Sequence, residues 1–160
     1  IRSRRPVTLD VGAAGKGQLV DLVCAALGHA GYPTHTVDAG GDMRHRGPSA
    51  VQVALEHPYE PETAIGVVTL ENRALCASAA NRRRWADGLH HVLDARTGRC
   101  IDTVVATWVL AESALHADGL ATALFLVPPE VLLAEFEFDY VLVHSHGGAQ
   151  FSASLAGALF

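Results

Sequence analysis

The sequence predicts an α+β fold with a mixed or antiparallel sheet packed against helices, and three observations carry that reading. Apolar, β-branched runs of strand length recur along the chain, turn residues alone join most neighbouring runs, and only three stretches have helical spacing. A doubly wound sheet needs a helix between successive parallel strands, so this pattern argues against one. At 160 residues, with 49% of them hydrophobic, the chain is long enough to bury the core of one domain. No composition shift or linker divides it, so residues 1–160 read as a single domain.

The elements follow in order. After Pro6, Val7-Thr8-Leu9-Asp10-Val11 reads as a short strand entering Gly12-Ala13-Ala14-Gly15-Lys16-Gly17. The next helix carries Leu19, Val20, Val23, Ala26, Leu27 and Ala30 at helical spacing and stops at Gly31. Residues 36–39 form a strand ending in Gly40-Gly41-Asp42, and strands are expected over 51–55, 64–70, 74–78 and 90–94. Ala95-Arg96-Thr97-Gly98 then turns the chain into a long apolar run, 103–110, that suits a central strand. Ser113 is the expected N-cap of a helix carrying Asp118 and Thr122, terminated by Pro128-Pro129. A short helix near 131–136 and a hairpin close the chain: 140–144, Gly147-Gly148, then 150–154.

Charge and cysteine usage exclude several classes. A formal net charge of -5 argues against nucleic-acid binding, and the lone basic run, Arg82-Arg83-Arg84, reads as a solvated loop. Cys24, Cys76 and Cys100 are widely spaced and odd in number, giving neither a zinc motif nor a disulfide framework; Cys24 and Cys76 read as core residues. No segment approaches membrane-span length. Because the chain opens on Ile1 rather than Met, the absence of a signal peptide carries little weight.

Chemistry concentrates in a few segments. Gly12 to Gly17 lies between an expected strand and a helix, where backbone N–H groups and the helix dipole attract anions and Lys16 adds a charge. It matches neither GxxxxGK[ST] nor GxGxxG, and an ordinary glycine-rich turn explains it equally well. Gly40-Gly41-Asp42, taken alone, is a tight turn with a solvated carboxylate. His29, His35, His45 and His57 lie near turn residues and read as surface, and no partner is apparent for His144 and His146. His91 alternates with its expected strand and precedes Asp94 by three residues; a hydrogen-bonded core histidine is the simpler explanation, and Asp94 to Gly98 a capped turn. Asp118 and Thr122, one turn apart on an apolar helix, place two hard oxygens on one face, as Mg²⁺ prefers. A structural ion pair of Asp118 with a base such as Arg96 is the alternative.

Taken together and in order, these segments resemble the ApbE-type flavin transferases (FAD:protein FMN transferases). That family shows LDxGGxAKGxxxD, NAGGD, ATSG, HxxDPRTG and ADxxAT stretches. The counterparts are Leu9-Asp10 through Lys16-Gly17 to Asp21, Asp38 to Asp42, Cys76-Ala77-Ser78-Ala79, His91 to Gly98, and Ala117-Asp118 to Thr122. Departures are Ala13 for glycine, Gly15 for alanine, Ala77 and Ala79 for the Thr and Gly beside Ser78, and Ala95 for proline. Family members are considerably longer at the N-terminus, so the chain is expected to be the C-terminal catalytic portion of such an enzyme, with an ApbE-like fold.

The resemblance implies Mg²⁺-dependent transfer of the FMN moiety of FAD to a threonine hydroxyl of an acceptor protein, with release of AMP. It implies Asp118 and Thr122 as metal ligands with a loop carbonyl near Gly15. It further implies His91 as the group that orients or deprotonates the threonine, so that His91 and Asp118 are the catalytic pair. Gly12, Gly15, Lys16, Gly40, Gly41, Asp42, Ser78 and Arg96 are the implied flavin-nucleotide contacts, Arg96 also shaping the turn beneath His91. An FAD pyrophosphatase and a non-catalytic flavin-binding remnant are the alternatives. Family members are usually exported, often as lipoproteins; the acceptor and the location of this chain are not legible in it.

Overall fold

The computed structural model describes residues 2–8, 10–60, 62–80, 84–86 and 89–160, with only the backbone of 84–86 and 89. Its centre is a six-stranded sheet in the order β1-β2-β5-β10-β11-β12, with every neighbouring pair antiparallel. These strands are β1 (His35–Asp38), β2 (Asp42–Arg46), β5 (Ala74–Ala79), β10 (Val104–Ala111), β11 (Asp139–His144) and β12 (Ala149–Phe151). Helices α1 (Gly15–His29) and α2 (Ala114–Ala123) cover one face. The hairpin of β3 (Val51–Glu56) and β4 (Ala64–Leu70), with a 3₁₀ helix at Ala153–Ala158, covers the other. Two small hairpins lie between β5 and β10 in the chain: β6 (Arg84–Ala86) with β7 (Leu89–His90), and β8 (Leu93–Asp94) with β9 (Arg99–Cys100). A five-residue helix α3 (Pro129–Leu133) precedes β11. The α+β expectation holds.

The period-two alternation of the central strands makes this layering. In β10, Val109 and Ala111 face the helices while Ala106, Trp108 and Leu110 face the hairpin, and the wholly apolar run is therefore buried on both sides. The helix over 114–123 starts where expected, with Ser113 Oγ accepting the His116 N–H at 3.2 Å. Gly31, at φ +89°, follows the end of α1. Cys24 and Cys76 are buried, and no helix among the described residues is long and apolar enough to cross a membrane.

Several expectations are corrected. Residues 7, 8, 10 and 11 join no strand, with Val7 and Val11 59% and 73% exposed; Leu9 lies outside the described residues, as do Arg82 and Arg83. A strand exists only through a ladder partner, and propensity alone does not supply one. Helix α1 buries Gly17, Val20 and Cys24 and exposes Leu19, Leu22 and Val23, because its closest packing is made by a glycine rather than by its largest side chains. Strand β2, unexpected from its charged sequence, buries Asp42, Arg44 and His45; His45 Nε2 lies 2.6 Å from the Ser49 carbonyl. The expected strand over 90–94 breaks at His91 and Val92, so His90 is the buried histidine, its Nε2 2.7 Å from the Ile101 carbonyl.

Candidate functional site

Helix α1 begins abruptly. The Gly12 N–H donates to Asp10 Oδ1 at 2.7 Å and the Ala14 N–H to the Val11 carbonyl at 3.0 Å, turning the chain into the helix at Gly15. The N–H groups of its first turn have no intrahelical acceptor. That of Gly17 finds one across the helix interface, donating to Asp118 Oδ2 at 2.8 Å. The approach requires glycine: a Cβ on Gly17 would lie 2.1 Å from the Ala114 carbonyl oxygen and 2.7 Å from the Asp118 Cβ.

Asp118 is 6% exposed. Burial pushes its carboxyl above the usual carboxylate range, opposed by the Gly17 N–H; the Asp42 carboxylate raises it further and Lys16 lowers it. Asp42 is fully buried at the start of β2 and ion-paired with the ammonium of Lys16, whose side chain is 45% exposed. Beside Asp42, the Cys76 thiol is pushed far up, by burial first and then by the Asp42 charge, and its Sγ lies 3.5 Å from the Ala114 carbonyl. Asp42, expected from its local sequence to be solvated, instead sits beneath Lys16. Two buried carboxylates thus share the neighbourhood of one lysine and one helix N-terminus.

The turn before Asp42 is bound to the same region. Gly40 and Gly41 take φ of +76° and +99°, and Asp38 Oδ1 accepts both of their N–H groups at 2.8 and 3.1 Å. The Gly41 carbonyl accepts the Ala77 N–H at 2.9 Å, which ties this turn to the strand position beside Ser78. Ser78 pairs across the sheet with Thr107, whose hydroxyl donates to the Ala121 carbonyl at 2.6 Å, next to the half-buried Thr122. Gly15, Lys16, Gly40, Gly41, Asp42, Ser78, Asp118 and Thr122 therefore lie on four connected elements, α1, β2, β5 and α2, and the turn between β1 and β2. Gly12 lies on the exposed turn leading into α1.

His91 lies in the connection between the two small hairpins, and Arg96 in the turn of the second. Val92, between them, packs into the same core as α1 and α2, and its carbonyl accepts the Ile101 N–H at 3.1 Å. Arg96 is turned back on its own loop: its Nε and Nη2 donate to Asp94 at 3.0 and 3.1 Å, and its side chain is 80% exposed. That bond holds the Asp94 carboxyl below its ordinary value, and it removes Arg96 as the ion-pair partner of Asp118. A separate cleft of about 570 Å³ is lined by Arg73, Glu112, His116, Leu120 and Phe136 among others. His116 and Leu120 lie roughly 200° around α2 from Asp118, so the cleft is on the other side of that helix.

Two residues missed from sequence complete the site. Asp21, which ended the first motif without a role, accepts the N–H groups of Ala114 at 3.1 Å and Leu115 at 2.9 Å and is ion-paired with the buried Arg44. The polar residues at alternate positions of β2 were the available signal, obscured by an adjoining turn.

Comparison with known proteins gives a consistent result. The profile of the ApbE family matches residues 1–140. An FAD:protein FMN transferase of Rhodobacter capsulatus is 33% identical over 81% of this chain and 26% of its own length. One from Escherichia coli K12 is 30% identical over 76% of this chain and 37% of its own. Among solved structures, an ApbE protein of Thermotoga maritima superposes with a TM-score of 0.84 at 26% identity, covering 96% of this chain and 54% of that one. An H257G mutant of the flavin transferase ApbE of Vibrio cholerae gives 0.72 at 27% identity, covering 94% of this chain and 52% of that one. The chain thus spans about half the length of these solved relatives and a quarter to two-fifths of the curated ones.

Proposed function

This chain belongs to the ApbE family, and on that premise we propose that it is the C-terminal catalytic portion of an FAD:protein FMN transferase. In this reading FAD is the substrate and a threonine of an acceptor protein receives FMN. The threonine oxygen forms a bond to the FMN phosphorus, the bond to the AMP oxygen breaks, and AMP leaves. The observation that carries the proposal is Asp118, a buried carboxylate held against the N-terminus of α1 by the Gly17 N–H. An anionic pyrophosphate suits the positive end of α1 and the exposed ammonium of Lys16.

A divalent cation of the Mg²⁺ class fits the donors here. Asp118 is a carboxylate whose burial opposes its charge, and Thr122 adds a hydroxyl one turn later; with a carbonyl near Gly15 they make a hard-oxygen set. Bound there, Mg²⁺ would supply charge neutralisation to the phosphate oxygens. Lys16 and those loop amides not already donating to Asp10, Val11 and Asp118 would bind the phosphates. Gly40, Gly41 and Ser78 would line the flavin-nucleotide pocket, Asp42 serving it through Lys16, and Arg96 would border it from the hairpin loop. His91 would take the proton of the attacking threonine, as a neutral imidazole can near pH 7.

Incubation of the full chain, and of a version extended at its N-terminus, with FAD, Mg²⁺ and a threonine-bearing acceptor tests the proposal. Covalent flavin on the acceptor is the expected result. Free FMN and AMP without flavinylation would make the protein a pyrophosphatase. FAD bound but unchanged would make it a binding remnant, a reading favoured by Ala77 and Ala79 beside Ser78.

A further inference from the structure

Helices α1 and α2 satisfy each other's first turns. On α1, Gly17 gives its N–H to Asp118, while Asp21, one turn later, accepts the N–H groups of Ala114 and Leu115. On α2, Ala114 gives its N–H to Asp21, and Asp118, one turn later, accepts from Gly17. Each helix thus contributes a small residue and, four positions on, an aspartate, and the two pairs interlock at a contact too close for any side chain on Gly17. Ser113 Oγ takes the His116 N–H and the Ser113 carbonyl that of Ala117, so the first four N–H groups of α2 all have acceptors. Arg44, from β2, holds Asp21 in turn.

An ordinary N-cap such as Ser113 lies within its own helix and fixes nothing relative to a neighbour. Asp21 lies in α1 and bonds α2, so it fixes the height of α2 along α1. Asp118 is one turn into α2, and its carboxylate reaches the start of α1 only at that height. We propose that Asp21 is a positioning residue for Asp118, setting the carboxylate where it serves a divalent cation at the N-terminus of α1. The inference rests on the metal reading of Asp118 given above.

Thermal unfolding of the full chain across a Mg²⁺ titration, without FAD or acceptor, tests it. Wild type should show a midpoint temperature that rises with Mg²⁺, and Asp118→Asn should not. Asp21→Asn keeps the shape of the side chain and loses its charge. It should stay folded but require roughly 10- to 100-fold more Mg²⁺ for the same rise, the usual consequence of losing a group that orients a ligand. Ser113→Ala removes a cap from the same turn and should lower the midpoint temperature without moving the Mg²⁺ requirement. Should Asp21→Asn fail to fold, Arg44→Lys, which loosens the hold on Asp21, decides with a smaller shift in the same direction.

A wild type that responds while Asp21→Asn responds at the same Mg²⁺ concentration would reduce Asp21 to a helix connector. An equal shift in Ser113→Ala would assign the effect to general loosening of α2 and overturn the proposal likewise. No response in wild type would remove the metal reading itself, and this inference with it.

Discussion

On one face of the six-stranded sheet, Leu75, Trp108, Leu110, Val141 and Val143 meet Leu55, Val68, Leu70 and Leu155. On the other, Ala74, Cys76, Val109 and Ala111 meet Ala114, Ala117 and Ala121, with Asp42, Thr107 and Asp118 buried among or beside them. The first face fills space with large aliphatic and aromatic groups, and its one tight backbone contact, Gly66 of β4 against Ala158 and Leu159, engages no buried carboxylate among the described residues. The second uses residues so small that helix touches helix and helix touches strand, and backbone N–H groups become the partners of buried carboxylates. Small residues weaken hydrophobic stabilisation per position but bring fixed dipoles and charges together. Polar chemistry therefore sits on the face that contributes less apolar area from each side chain.

Substitutions on the two faces should separate along the same line. The largest effect is expected at Asp118: Asp118→Asn should abolish Mg²⁺-dependent turnover of FAD while the chain remains folded. Its stability has a definite sign. Because burial raises the Asp118 carboxyl in the folded state, its ionised form costs more folded than unfolded. The metal-free wild type should therefore gain stability as pH falls through that raised value towards the ordinary carboxylate range, and lose it as pH rises back through it. Asp118→Asn should lack this component and, without metal, melt no lower than wild type at pH 7. Thermal unfolding of both proteins from pH 4 to 8 checks it. A less stable Asp118→Asn would mean that the bond to Gly17 outweighs burial.

Next comes His91→Ala, for which the rate of flavin transfer should fall by roughly two to four orders of magnitude with FAD affinity nearly unchanged. An unchanged rate would leave His91 a residue of the connection between the hairpins only. On the aliphatic face, Leu70→Ala should cost about 2–5 kcal/mol in urea unfolding, while transfer at temperatures well below unfolding persists. Loss of both together would mean that the two faces are energetically one.

Gly17→Ala should cost about 1–3 kcal/mol by overpacking, since its Cβ would meet the backbone of Ala114 rather than a yielding side chain. Unlike Leu70→Ala, it should also impair turnover, because it parts α1 from Asp118. The smallest effect is a gain. A Cβ at Gly28 meets nothing within 4 Å, and Gly28→Ala should stabilise α1 by about 0.5–1 kcal/mol with no change in activity. Two glycines of one helix would then differ in sign according to what faces them.

By itself the sequence determined most of the strand and helix inventory. Residues 103–110 were legible as a central strand because an unbroken β-branched run has few other places to go, and Ser113 marked a helix start by its own hydroxyl. It also determined the family, through five ordered motifs that place Lys16, Asp42 and Asp118 in one set. Tertiary structure decided the rest. The strand over 42–46 looked like turn and surface because its charges have partners distant in sequence: Asp42 needs Lys16, and Arg44 needs Asp21. Residues 7–11 had the propensity of a strand and found no ladder among the described residues. The face of α1 could not be chosen from hydrophobic spacing, since backbone contact at Gly17 outweighed the exposed Leu19 and Val23. Local pattern reports what a segment favours in isolation, whereas a buried charge is permitted only by groups that the fold brings to it. The link between Asp21 and the first turn of α2, across more than ninety residues, exists only in the folded chain.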